Sequence, residues 1–312
     1  MDKYTNEAEK KVENADLLMD IVHEFQMDTE GLNFLDPSRG FKMLVMGKPG
    51  SGKTYAIPTL LKTELEVFCL FTEPGYGVIS HVPNLKMAYI PPGSLTDPWS
   101  DLISTANLIN SVPAKSLQDA TFPNKSERRQ FIEVLETLNN FVDSKTNLRY
   151  GDTAKWQTDR VLVIDALTGL NFMSRFLTSG GKPNPTFVEW GTMMSNLQEM
   201  INTILRVFRC HFVLNAHIEP EKDELTGSLR YAVSTLGRKL APVFGDFFDD
   251  VVLSYRLGTN FYWSTIADDV DGLKARFLPL EGKLPQDFSL PLSLWKEAGG
   301  LIIPSPAPTR GE

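Results

Sequence analysis

One loop constrains this chain more than any other feature: Gly47-Lys48-Pro49-Gly50-Ser51-Gly52-Lys53-Thr54. It fits G-x-x-x-x-G-K-[ST], the pattern of a phosphate-binding P-loop. The glycines let the backbone curl until successive N–H groups point inward as an anion nest. Lys53 brings a mobile positive charge to β- and γ-phosphates, and the Thr54 hydroxyl is a ligand for Mg²⁺. Such a loop needs a strand before it and a helix after it. Phe41-Lys42-Met43-Leu44-Val45-Met46 reads as a short apolar strand, and residues 55–62 carry helix-like apolar spacing, with Pro58 in the first turns. The helix end is expected to add its positive dipole to the nest. A nucleoside triphosphate with Mg²⁺ is the expected ligand.

Downstream, polar residues stand at the ends of apolar runs. Val67-Phe68-Cys69-Leu70-Phe71 reads as a strand buried on both faces and runs into Thr72-Glu73. A carboxylate there is placed to orient a water for attack on a γ-phosphate; the alternative is a solvated turn acid. Arg160-Val161-Leu162-Val163-Ile164-Asp165 has the Walker B form, a central strand that delivers an acid to Mg²⁺, with Thr168 as a polar neighbour of the metal's water shell. Cys210 to His217 is a further strand, and His217 at its tip reads as a γ-phosphate sensor or as a satisfied loop histidine. His211 at its start reads as structural.

Apolar residues make up 42% of the 312, enough for a large α/β core, and the net charge of −8 excludes a global basic field for nucleic acid. Any such site has to be a local strip. Cys69 and Cys210, the only cysteines, lie in apolar runs and read as core thiols, which suits a reducing cytoplasm. The chain shows no signal peptide and no run long enough to span a bilayer, so a soluble cytoplasmic protein without membrane partners is expected.

The domain reading has an N-terminal helical segment over 1–38, an ATPase core over 39–280 and a Pro-rich tail over 281–312. The first contains an amphipathic helix over residues 12–25. The core includes Lys86-Met87-Ala88-Tyr89-Ile90 as a strand and a less ordered insertion over about 93–159, with helices near 102–109 and 131–141. A long helix with a methionine stripe spans 190–207, and strands 247–256 and 260–267 pair around Gly258-Thr259-Asn260. The tail, with Pro304-Ser305-Pro306-Ala307-Pro308, is expected to be loosely held.

With these residues in order, the chain resembles the RecA-type P-loop ATPases, the group that includes KaiC- and DnaB-like proteins, over about 41–280. The resemblance implies an α/β fold with a mostly parallel central sheet, helices on both faces and a C-terminal β-hairpin. It implies ATP as the nucleotide and catalytic roles for Glu73, Lys53 and His217, with Asp165 and Thr54 at the metal. The spacing of Lys274 and Arg276 is similar to the basic pair that reaches a neighbour's ATP site in the helicase-like branch; a surface charge pair is the alternative. Among the group, the chain is similar to phage-encoded nucleotide-binding proteins, some of which act as ATP-dependent single-strand annealing proteins in recombination. This implies single-stranded DNA, a homo-oligomer (ring or filament) and a single-strand binding protein as partners, inside the host cytoplasm. DNA-binding loops fall at about 176–187 and 219–238, with Arg230, Arg238 and Lys239 as the contacts or as a plain solvated face. The stretch from Glu73 to Asp165 is longer than in RecA, and the first loop is poor in aromatics and charge.

Two other classes stay open. A P-loop small-molecule or nucleoside kinase needs an acceptor pocket and an Arg-rich lid, for which Arg128, Arg129 and Arg149 are candidates. An ATP-switched assembly factor needs no significant turnover.

Overall fold

The computed structural model describes residues 36–92, 98–111, 113, 128–180, 184–222, 227–236 and 240–310. Pro37–Glu312 form one compact unit. The helix expected over 12–25 lies outside the described residues, as do Arg238 and Lys239.

The first half of the chain forms β1 (Lys42–Met46), α1 (Lys53–Ala56), β2 (Glu66–Phe71), β3 (Lys86–Tyr89), α2 (Pro98–Ser111), α3 (Gln130–Asn139), β4 (Phe141–Val142) and β5 (Leu148–Gly151). Then come β6 (Arg160–Asp165), α4 (Leu167–Ser179), α5 (Phe187–Val207), β7 (His211–Ala216), β8 (Ile218–Lys222) and β9 (Leu229–Val233). The last third forms α6 (Ala241–Phe244), β10 (Asp250–Leu257), β11 (Asn260–Ser264), β12 (Leu284–Pro285), α7 (Ser289–Glu297) and β13 (Thr309–Arg310).

Eight strands make the central sheet in the order β12-β11-β10-β1-β7-β6-β2-β3. From β10 to β3 neighbouring strands run parallel; among these strands β11 alone runs against the rest, and β12, antiparallel to β11, runs with them again. The apolar runs are continuous because both faces are covered, and the period of two divides their side chains between two cores. Leu44, Phe68, Leu162 and Phe212 face α3, α4 and α5, whereas Val45, Cys69, Val163 and Val213 face the turns after α1 and helix α7. The methionine stripe packs as expected: Met193, Leu197, Met200, Ile201 and Ile204 are buried along α5. A capping box between Thr186 and Glu189 starts that helix.

Three features differ from expectation. The helix after the P-loop is one α-turn, followed by 3-10 turns over Ile57–Lys62. Pro58 has no N–H to give the carbonyl a turn behind it, so the α-ladder stops. The region of the insertion contains α2 and α3 near the expected places, but also a β4–β5 hairpin. Asp143 ties that hairpin to β3 by accepting from the Met87 N–H at 3.0 Å.

The third difference is the tail, which is not loosely held. Phe288, Leu292 and Trp295 are buried against the core, and the Trp295 indole donates to the Arg39 carbonyl at 2.8 Å. Farther on, Ser305 N donates to Asp159 Oδ2 at 2.8 Å and the Pro306 carbonyl accepts from Arg160 at 2.8 Å. Prolines after α7 therefore fix an extended, bonded path. Trp295→Ala is expected to lower the free energy of unfolding by about 3–5 kcal/mol in urea titration, the scale of a large core truncation. A change within about 0.5 kcal/mol, the scale of a surface substitution, would match a loose tail instead.

Candidate nucleotide site

The P-loop follows β1, and β7 separates β1 from the Asp165 strand β6. The carboxyl ends of these strands, and of β2 beyond them, thus gather their polar residues at one edge. Gly47 is needed where it stands: a Cβ there would lie 2.3 Å from the Ser254 carbonyl of β10. Lys53 folds back over the loop, its Nζ donating to the Gly47 carbonyl at 2.7 Å and the Lys48 carbonyl at 3.1 Å. Burial lowers its pKa to about 8, against the opposing pull of Asp165 and Glu73. Lys48, Pro49 and Gly50 form the exposed crest.

The two acids are set by the ends of adjacent strands. Parallel pairing of β2 with β6 puts Phe71 level with Asp165. Beyond that point the Thr72 N–H donates to the Asp165 carbonyl at 2.9 Å, and the Thr72 hydroxyl donates to the Ala166 carbonyl at 2.6 Å and accepts from the Ala166 N–H at 2.9 Å. The Asp165–Ala166 peptide is cis. Gly169 of α4 leaves room for Thr72, whose carbonyl would lie 2.3 Å from a Cβ there.

Asp165 accepts from the Thr54 hydroxyl at 2.7 Å on Oδ2 and from the Asn215 amide at 3.1 Å on Oδ1. Burial raises its pKa, with these two donors pulling the other way. Glu73 is the opposite case. Burial alone would raise it, but the contacts to His217, the Lys53 charge and the nearby Thr168 hydroxyl hold it below the usual carboxylate range. Glu73 is thus ionised at neutral pH. His217 stands between the two charges, Nδ1 at 3.5 Å from Lys53 Nζ and Nε2 at 3.5 Å from Glu73 Oε2. One neutral tautomer suits both contacts: Nδ1 accepts from Lys53, and the proton on Nε2 faces Glu73.

The donor set fits a hard divalent cation. Thr54 and Asp165 present oxygen, and Ser51 Oγ, Glu73 Oε1 and Asn215 Oδ1 are buried with no hydrogen-bond partner among the described residues. Those unmatched oxygens, beside an inward-curled glycine loop, fit Mg²⁺, its waters and a polyphosphate. Thr54 and Asp165 are the residues that would hold the metal.

The remaining expected residues are placed as follows. Lys274 Nζ donates to the Asp246 carbonyl at 3.0 Å. Arg276 is ion-paired with Asp249 at 2.7 Å within its own chain, where β10 begins and away from the P-loop end of the sheet. Arg230, on β9, pairs with Asp271 at 2.5 Å. Arg128 lies over the Phe176 ring at 4.9 Å, Arg129 pairs with Glu136 at 3.3 Å, and Arg149 is on β5. Cys69 and Cys210 are free and buried.

Sequence reasoning missed Asn215, Thr72, Ser254, Gln286 and Tyr231. Tyr231 of the β8–β9 hairpin meets the P-loop directly: Lys48 Nζ lies 4.3 Å from its ring centroid and 3.2 Å from its hydroxyl.

Sheet order and loop geometry define the class, a P-loop nucleotide-binding domain. The family model AAA_24, an AAA domain, matches residues 39–258, and the chain belongs to that family. No curated protein matches it. Among solved structures, one titled "Crystal structure of the RadB recombinase" is similar over 76% of this chain and 86% of that chain, at 14% identity and a TM-score of 0.31. A likeness that loose carries no weight for fold or activity. No helix among the described residues is long and apolar enough to cross a membrane.

The Lys53 pKa gives a direct test. With a value near 8 in the free protein, Lys53 is mostly neutral at pH 8.5. Added phosphates favour the charged form, so ATP binding at that pH takes up a substantial fraction of one proton, and affinity weakens as pH climbs past 8. Calorimetry in buffers of different ionisation enthalpy reads this uptake. No uptake would show that Lys53 is already charged or does not meet phosphate.

Proposed function

We propose that the protein is an Mg²⁺-dependent ATP hydrolase of RecA type that acts on single-stranded DNA, in recombination or annealing, as a homo-oligomer with ATP at subunit interfaces. The observation that carries the reading is the Lys53–His217–Glu73 contact chain beside the Thr54–Asp165 pair.

The roles follow from chemistry. The P-loop N–H groups and Lys53 hold phosphate oxygens. Mg²⁺, when bound, offsets the charge that develops on the phosphates. Glu73, ionised and with one oxygen unmatched, accepts a hydrogen bond from the attacking water and aims it. A γ-phosphate competes with His217 Nδ1 for Lys53, so His217 reads its presence. Because β8 begins at Ile218, any shift of His217 passes into the β8–β9 hairpin, which the resemblance to single-strand annealing proteins makes a DNA element. The Ser234 N–H donates to the His217 carbonyl at 2.8 Å, and the Ser234 carbonyl accepts from Asn171 at 3.1 Å, which ties the hairpin base to α4.

Of the proposed fingers Lys274 is the easier to redeploy, since its contact to the Asp246 carbonyl is exposed. Arg276 would first have to leave Asp249, a largely buried pair whose opening is costly. Arg230 contacts DNA only by exchanging Asp271 for phosphate. A kinase lid has less support, because Arg128 and Arg129 already have partners.

The test is ATP turnover with and without single-stranded DNA over a range of protein concentrations, with Glu73→Gln alongside. DNA stimulation, a rate per protomer that grows with concentration, and a loss of about 10²–10⁴-fold in Glu73→Gln with ATP binding retained are the expected results. Full turnover in that variant contradicts the role of Glu73. A slow rate indifferent to DNA and concentration contradicts the DNA-dependent, shared-site reading.

A further inference from the structure

The P-loop is held from behind by a residue of the C-terminal segment. The Ser51 carbonyl, in the middle of the loop, accepts from Gln286 Nε2 at 3.0 Å and from the Ser254 hydroxyl at 3.0 Å. Gln286 Nε2 also lies 2.7 Å from Ser254 Oγ and 2.9 Å from the Tyr262 carbonyl. Two of these three neighbours are carbonyls, so only the NH₂ end of the amide can face them, and the orientation of the side chain is fixed by chemistry. Ser254 spends its own hydrogen on Ser51, leaving its lone pairs for the amide. The two amide hydrogens are shared among these three acceptors.

A trans peptide is planar, with its C=O and N–H on opposite sides. Two donors that hold the Ser51 carbonyl outward therefore turn the Gly52 N–H inward, into the nest. Gly52 itself has φ 95, and a Cβ on it would meet Gln286 Oε1 at 2.6 Å, so the amide packs tightly against this peptide. Donors on a carbonyl also polarise its peptide and strengthen the N–H on the other side. We infer that Gln286 is a positioning residue for phosphate binding: it fixes the Ser51–Gly52 peptide so that the Gly52 N–H is a preset donor to the nucleotide's phosphates. The inference rests on the nucleotide-binding reading above.

The donor is present before and throughout the reaction, so it holds ground state and transition state alike. Its loss raises KM and leaves kcat. A core-packing role would instead show in the stability of the nucleotide-free protein.

The experiment compares wild type with Gln286→Leu and Gln286→Met, which keep much of the bulk and remove the N–H donors without setting a carboxylate against the Ser51 and Tyr262 carbonyls. Ser254→Ala removes the second donor to the same carbonyl. Kd for Mg-ATP, KM, kcat and the melting temperature without nucleotide are measured for each. Expected are rises of about three- to ten-fold in Kd and KM for all three, the range of one or two hydrogen bonds, with kcat within about two-fold and melting temperature unchanged. Unchanged Kd and KM in both Gln286 variants overturn the inference, as does a fall in kcat at constant KM. Weaker binding together with a lower nucleotide-free melting temperature in both assigns Gln286 a structural role and overturns it too. If wild type binds no ATP, the nucleotide-binding reading itself fails, which is a separate result.

Discussion

The site depends on the seam between the ends of β2 and β6. Parallel register brings Phe71 level with Asp165, and Thr72 then closes the gap with hydrogen bonds in both directions to Ala166. Thr72 is fully buried, so each of these bonds replaces a group that would otherwise be stranded away from water. The consequence is positional. Glu73 leaves its strand at a height and direction set by Asp165's own backbone, and the two acids cannot drift apart. Gly169, pressed against Thr72, brings α4 and its Thr168 hydroxyl to the same place.

Charge then does what the backbone has prepared. Lys53, Glu73 and Asp165 are gathered in a partly buried site, and each is shifted in the sense its surroundings dictate: Lys53 and Asp165 toward the neutral form by burial, Glu73 toward the charged form by His217 and Lys53. Opposed shifts in one partly buried cluster make it a candidate functional site. A polyphosphate with its cation would complete the set: Lys53 would have a better partner than the loop carbonyls, and Asp165 and Thr54 would be the residues to hold the metal.

How much of this was legible in the sequence follows from where each signal resides. The P-loop, Asp165, Glu73 and His217 are polar residues at the ends of continuous apolar runs, and a sheet buried on both faces forces such ends to one edge. The partners Thr72, Ser254 and Gln286 carry no local pattern, since their role comes from strands and segments far apart in the chain. Asn215 had a signal: it is a polar residue between Leu214 and Ala216 in β7, all of which is buried. The C-terminal segment was misread because prolines suggested looseness, while Phe288, Leu292 and Trp295 carried the i, i+4, i+7 spacing of a packed helix face. Pro58 stands out in the sequence, but its effect, a helix cut to one turn, shows only in the geometry. Arg276 illustrates a further limit, for spacing alone says nothing of the Asp249 carboxylate that already holds it.

The central claim is that Thr54 and Asp165 meet to hold a cation on a bound nucleotide. The measurement that tests it most directly is the equilibrium affinity for ATP with Mg²⁺ and with chelator, in wild type, Thr54→Ala and Asp165→Asn. ATP should bind wild type in both media and more tightly with Mg²⁺, and both substitutions should remove the Mg²⁺ increment while metal-free binding stays. An increment that survives both substitutions, or a wild type that binds ATP equally with and without Mg²⁺, would contradict it.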